Sequence, residues 1–153
     1  MSRVILLDTG PLGLLTQRKG IKPADEFRAW LLARLAIGFQ VFVPEIADYE
    51  VRRELLRLDT NGSHQKGLTR LNQFNSAVPN RYVAITTAVM QHAAELWADA
   101  RKQGRPTADP KELDADVILA AQALSMASVN PTVVTTNVGH LARMVAADDW
   151  RNL

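Results

Sequence analysis

Acidic residues at separated points along the chain carry the chemistry open to it. Asp8 follows four consecutive apolar residues, Val4-Ile5-Leu6-Leu7, and precedes Thr9-Gly10-Pro11. Glu50 and Glu54 lie in Tyr49-Glu50-Val51-Arg52-Arg53-Glu54-Leu55, Asp114 and Asp116 open an apolar stretch that runs to Leu124, and Asn137 closes Thr135-Thr136-Asn137. Carboxylates gathered within a few ångströms repel one another, and a divalent cation relieves the repulsion. Oxygen ligands in a chain without Cys favour Mg²⁺ or Mn²⁺ over zinc. Such an ion activates water and stabilises charge on a phosphodiester under attack. With no Ser or Cys nucleophile partnered to the acids, the chemistry expected is metal-assisted phosphodiester hydrolysis.

Each residue also has a plainer role. Asp114 can cap its helix, and Asp116 in a first turn favours the helix dipole wherever it faces. Glu50 can pair with Arg53 or Arg57 on its own helix. Asn137 can be a turn residue. What favours a site is their joint placement, and that depends on the elements that carry them.

The apolar run before Asp8 reads as a strand buried on both faces, the kind found inside a parallel sheet. An unpaired carboxylate is costly to bury, so Asp8 belongs where that strand emerges. Gly10 and Pro11 then suit a tight turn into a short helix ending near Thr16. A basic loop, Gln17 to Pro23, leads to an amphipathic helix over Asp25 to Ile37, ended by Gly38. Val41-Phe42-Val43 is a second strand.

Glu45 to Leu58 is a helix with two apolar stripes, Ala47-Val51-Leu55-Leu58 and Ile46-Tyr49-Leu56, so cover on two sides is expected. Periodicity does not choose between Glu50 and Glu54. After the Asn61-Gly62 turn come a helix over His64 to Phe74, a third strand over Tyr82 to Ile85, and a long helix over Thr87 to Gln103. Gly104 to Pro110 is loop. Leu113 to Met126 is a helix apolar nearly all round, hence central. Thr132 to Thr135 is a fourth strand, followed by a short helix through Leu141, Met144 and Val145.

Strands alternating with helices predict an α/β fold: three helix–sheet–helix layers around a parallel sheet of about four to five strands, in one domain over residues 1–153. A parallel sheet gathers the ends of its strands on one side, which lets Asp8 and Asn137 meet. Asp116 joins them if its helix crosses the sheet.

At 153 residues the chain can bury a proper core. Its 47% hydrophobic and 22% charged content is that of a globular protein. The absence of Cys fits a reducing cytoplasm, no signal peptide is visible, and no apolar run can span a bilayer. A formal net charge of +2 says little about partners, so a nucleic-acid role must rest on local charge. Basic residues cluster before Asp114 (Arg101, Lys102, Arg105, Lys111) and after Glu50 (Arg52, Arg53, Arg57), where they could position phosphates. Trp30 and Trp97 lie on apolar helix faces and read as core. His64, His92 and His140 lack metal-ligand spacing and are assigned no catalytic role.

Four segments carry a family resemblance: Leu6-Leu7-Asp8-Thr9-Gly10-Pro11-Leu12, Tyr49 to Leu55, Asp116 to Leu124, and Thr135-Thr136-Asn137. In this order they resemble PIN domains, and the chain looks like the VapC-like ribonuclease toxins of type II toxin–antitoxin pairs. The resemblance spans Val4 to about Leu141, and its most specific segment is the one that begins at Asp116. It implies a metal-dependent RNA endonuclease whose family acids map to Asp8, Glu50 and Asp116. The implied cofactor is Mg²⁺ or Mn²⁺, held by these three directly or through water. Asp114 is an additional acid and a candidate metal contact. The fourth family position, often acidic, is Asn137, which brings an amide oxygen and no charge; His140 stands where many relatives carry Asp. The resemblance further implies an RNA substrate, products with a 5′-phosphate, a small antitoxin partner and a homodimer. Arg53, Arg105 and Lys111 are the candidate substrate contacts.

Two other readings compete. A PIN fold of weak or no activity, binding RNA or protein, is motivated by Asn137 and His140. A phosphatase or phosphotransferase using Asp8 as nucleophile lacks the second Asp two residues on that its commonest version carries.

Overall fold

A computed structural model describes residues 3–104 and 114–153. Five parallel strands form one sheet in the order β3-β2-β1-β4-β5. These are β1 (Val4–Leu7), β2 (Gln40–Pro44), β3 (Tyr82–Val83), β4 (Thr132–Val134) and β5 (Ala147–Asp148). The helices are α1 (Thr9–Leu14), α2 (Lys22–Ala36), α3 (Glu45–Leu58), α4 (Gln65–Ser76), α5 (Thr87–Lys102), α6 (Ala115–Ser125) and α7 (Val138–Leu141).

The central strand explains the layers. Successive side chains of a strand point to opposite faces. Ile5 and Leu7 enter one core with Phe27 and Leu31 of α2, Val51 of α3 and Leu71 of α4. Leu6 enters a second core with Val89 of α5, Val117 to Leu119 of α6 and Leu141 of α7. Both faces are therefore covered, which is why β1 is apolar at every position. The first core is closed by an aromatic group: the Phe27 ring lies 5.7 Å from that of Trp30 and 5.5 Å from that of Trp150. Trp97 is half-buried against the second core.

β1 pairs with β2 on one side and β4 on the other. Strand order runs outward from β1 in both directions, so the chain reverses its winding beside β1. In open α/β sheets the crevice at such a switch point, outside the carboxyl ends of the strands, is where ligands bind. Asp8 follows the carboxyl end of β1 directly.

The central helix, α6, is buried from Val117 to Ala123. Its one polar residue there, Gln122, is fully buried and serves as a strut. Its Nε2 donates to the Val83 carbonyl at 2.8 Å, and its Oε1 accepts from the Ile46 amide at 3.2 Å. Gln122 thereby ties α6 to the end of β3 and the start of α3.

Three expectations are corrected. The third strand stops at Val83, because the Ile85 amide donates to Glu45 Oε1 at 3.0 Å instead of to a neighbouring strand. The last helix ends at Leu141; Met144 and Val145 lead to β5, which pairs with β4 and was not read as a strand. On α3 only part of the second stripe is covered: Ile46 is buried, while Tyr49 is 47% and Leu56 56% exposed. The buried acid on α3 is Asp48, which pairs with Arg52 at 2.9 Å and accepts from Asn75 Nδ2 at 2.8 Å, fixing α4 against α3.

Candidate active site

β1 and β4 deliver two side chains to the same point. The Asp8 amide donates to the Val134 carbonyl at 3.0 Å, which extends the pairing one residue beyond β1. Asp8 then caps α1, its Oδ1 accepting from the Thr9 amide at 2.7 Å. Its Oδ2 accepts from the Thr135 hydroxyl, also at 2.7 Å. Thr135 is fully buried, and its oxygen accepts in turn from the Asn137 amide at 2.8 Å. One hydroxyl thus holds the Asp8 carboxylate and the turn that presents Asn137. The same turn passes close to α1: a Cβ at Gly10 would stand 3.1 Å from Thr136 Oγ1.

Glu50 reaches this point from α3. Its Oε1 accepts from the Thr9 hydroxyl at 2.7 Å, and Oε2 lies 3.4 Å from the Arg53 guanidinium. Glu54 is exposed and pairs with Arg57 instead. The choice that periodicity left open is made by α1, whose Thr9 faces Glu50.

Asp116 arrives from the first turn of α6. Asp114 is the N-cap, buried, with Oδ1 accepting from the Asp116 amide at 3.1 Å and the Val117 amide at 3.4 Å. The Asp116 carboxyl is held above the usual carboxylate range. Burial is the largest cause, followed by the negative charges of Asp8 and Asp114; His140 opposes them. His140 Nδ1 is 3.5 Å from Asp116 Oδ2 and 3.3 Å from Asn137 Nδ2.

The acids are therefore joined by a polar chain that runs Glu50, Thr9, Asp8, Thr135, Asn137, His140, Asp116. Thr9 and Thr135 do not stand out in the sequence, and His140, which stands where many relatives carry Asp and is assigned no catalytic role from the sequence, joins the same chain. A hydroxyl at the end of each of two neighbouring parallel strands is the signal that could have found Thr9 and Thr135. Arg53 is engaged by Glu50 and lies over the Tyr49 ring, 5.3 Å from its centroid. Arg52 and Arg57 are likewise paired within α3. Arg105 and Lys111 lie outside the described residues.

Among the described residues, no group of three His, Cys, Asp or Glu side chains is close enough to cage a metal ion. The donor set instead fits a hard, hydrated cation. Mg²⁺ keeps several waters and is usually bound by one or two carboxylates. Asp116 and Asp8, whose negative charge helps raise the Asp116 pKa, are such a pair.

No family model matches the sequence, and no curated protein matches it. Solved structures do match, over nearly the whole chain. A chain of VapBC2 from Rickettsia felis, in a structure bound to a DNA fragment from their promoter, is 17% identical with a TM-score of 0.71, covering 96% of this chain and 98% of that one. A chain of FitAB bound to IR36 DNA fragment is 25% identical with a TM-score of 0.67, covering 97% and 96%. A chain of VapBC-1 from nontypeable Haemophilus influenzae is 18% identical with a TM-score of 0.66, covering 97% and 98%. In fold, the chain is VapC-like: a PIN-type α/β sheet of five parallel strands, similar to chains of toxin–antitoxin complexes.

Proposed function

We propose that this chain is a divalent-metal-dependent endoribonuclease and the toxin of a toxin–antitoxin pair. The observation that carries the reading is the approach of Asp8, at the end of β1, to Asp116, at the start of α6, close enough for one charge to raise the other's pKa. The similar solved chains come from toxin–antitoxin assemblies, which supports a small antitoxin as partner. A homodimer and a cytoplasmic site of action belong to the same proposal. Among the described residues no helix is long and apolar enough to cross a membrane.

In this reading Asp8 and Asp116 hold Mg²⁺ or Mn²⁺, with Glu50 reaching it through water and Asp114 fixing the start of α6. The cation, when bound, supplies charge stabilisation at the phosphodiester and a more acidic water. Thr9 and Thr135 orient the Glu50 and Asp8 carboxylates, as outer partners orient metal ligands generally. Asn137 orients water or a ligand through its amide. Arg53, Arg105 and Lys111 are proposed to meet substrate phosphates, Arg53 by exchanging Glu50 for the nucleic acid.

The test is incubation of the purified protein with mixed RNAs in Mg²⁺, Mn²⁺ or chelator, beside Asp116→Asn. Cleavage that requires the cation and falls by ~100-fold or more in the variant is expected. Cleavage untouched by chelator, or by the substitution, overturns the reading. One observation favours a second reading, a PIN fold that binds RNA without cutting it. The fourth position is the uncharged Asn137, and the neighbouring His140 faces Asp116. Cation-independent RNA binding with no cleavage would select it.

A further inference from the structure

Beyond the carboxylates, on the far side of His140, a cleft of about 220 Å³ opens between the C-terminal half of α5 and the α7 turn. Leu96 and Met144 give it apolar walls, while Asp99 of α5, Gln103 just past the end of α5, His140 of α7 and Arg143 in the turn that follows α7 bring polar groups to it. Leu96, Asp99, Ala100 and Gln103 recur at helical spacing, so one face at the end of α5 builds one side of the cleft, and α7 with the turn after it builds the other. His140 is shared: it lines this cleft and also stands 3.5 Å from Asp116. Whatever occupies the cleft is therefore next to the candidate active site. Asp99 and Arg143 carry opposite charges into the same cleft, yet no ion pair joins them, and neither side chain is engaged elsewhere among the described residues.

We propose that this cleft is a base-recognition subsite that takes a guanine of the RNA strand beside the scissile phosphate. The proposal rests on the ribonuclease reading and names the part of the substrate that the neighbouring cleft accepts. The size suits a flat ring system, smaller than a drug-sized ligand. Unstacked bases of single-stranded RNA are read on their Watson–Crick and Hoogsteen edges and packed against side chains. The choice among bases follows from Asp99, which when ionised can only accept. Guanine alone offers two adjacent donors, N1–H and the N2 amino group, matched to two carboxylate oxygens. Uracil places carbonyl oxygens on both sides of its single N–H. Adenine and cytosine each place a ring acceptor nitrogen beside their amino group, which an anion repels. Guanine's other edge, O6 and N7, is the acceptor pair that an arginine fork reads best, and Arg143 supplies that fork. The Met144 thioether suits an aromatic ring edge.

The experiment has two arms. In the first, saturation-transfer NMR without metal measures binding of the four 5′-mononucleotides to the full chain and to Asp99→Asn and Arg143→Met. Guanosine monophosphate is expected to bind about tenfold more tightly than the other three. Asp99→Asn should erase that margin, and Arg143→Met should reduce it, while melting curves show both variants folded. Equal binding of all four nucleotides, or a preference that survives Asp99→Asn, overturns the proposal. In the second arm, the ends produced from random-sequence RNA are sequenced. Guanine is expected at one fixed position relative to the cut in the wild type and not in Asp99→Asn. A guanine preference in binding with no cleavage by the wild type defeats the ribonuclease reading and leaves the subsite standing. Cleavage without base preference, with no preferred nucleotide, defeats the subsite alone.

Discussion

Asp116 sits in a local field that opposes its own ionisation, because burial and the charges of Asp8 and Asp114 outweigh the help of His140. A carboxyl whose folded pKa is raised is favoured in its neutral form, so the folded state loses stability as pH rises from the ordinary carboxylate range through the folded pKa. Above that window the cost is fully present. Asp116→Asn removes the charge at nearly constant shape and is expected to raise the melting temperature in chelator at neutral pH. The gain should shrink as pH falls below the carboxylate range. A melting series of both proteins across pH checks this, and a variant no more stable at neutral pH refutes it. The same substitution removes a proposed cation ligand, so millimolar Mg²⁺ or Mn²⁺ is expected to raise the wild-type melting temperature in a concentration-dependent way and leave the variant's unchanged. Thr135→Val tests the other end of the network. It leaves Asp8 Oδ2 and the Asn137 amide without their shared partner, at a cost of ~1–3 kcal/mol in denaturant titration. The acids and Asn137 stood out in the chain because their residue types are costly in those positions. Thr9 and Thr135 did not, because a hydroxyl acquires its role only from the register that sets β1 beside β4.

α6 is the element on which the site turns, since it carries Asp116 in its first turn and Gln122 two turns on. Its apolar character all round marked it as central, and it is buried over consecutive residues. What composition could not indicate is that Gln122, the polar interruption, fixes its position by bridging β3 and α3. Gln122→Leu keeps the volume roughly and strands a buried carbonyl and amide. A loss of ~2–5 kcal/mol is expected from two groups left without partners. Because α6 also places Asp116, the cation-induced rise in melting temperature should weaken with it. A Gln122→Leu protein as stable as the wild type would show that α6 is held by apolar packing alone. The elements that sequence misread are the short ones. β3 and β5 each have two residues, below the length at which alternation is a signal, and both are defined by pairing with a neighbour. The exposed Tyr49 and Leu56 were misassigned for a related reason: periodicity reports a stripe, and only the neighbouring elements decide whether anything lies against it.

At the scale of the whole molecule, a net charge of +2 cannot itself draw RNA to a centre built of carboxylates. The distribution of charge can. The hollow beside Thr9 and Glu50 continues past Thr16 and Gln17 into a second one, lined by Arg18, Lys66 and Arg70 at the junction of α1, the following loop and α4. Arg70 is fixed there by donating to the Thr16 carbonyl at 2.8 Å, whereas Arg18 and Lys66 make no ion pair among the described residues. The cations of α3 differ in kind, since Arg52, Arg53 and Arg57 are each matched by a carboxylate one turn away. If the RNA backbone follows this path, each phosphate contact contributes ~0.7 to the slope of log affinity against log salt for a single strand. Arg18→Gln combined with Lys66→Gln is therefore expected to lower that slope by about 1.4 and to weaken binding alike for all sequences at low salt. Lys22→Gln serves as the control, because Lys22 is equally exposed on α2 and pairs with Glu26 instead of lining the path. An unchanged slope in the double variant, or the same fall in the control, would mean that the strand approaches the carboxylates from another side.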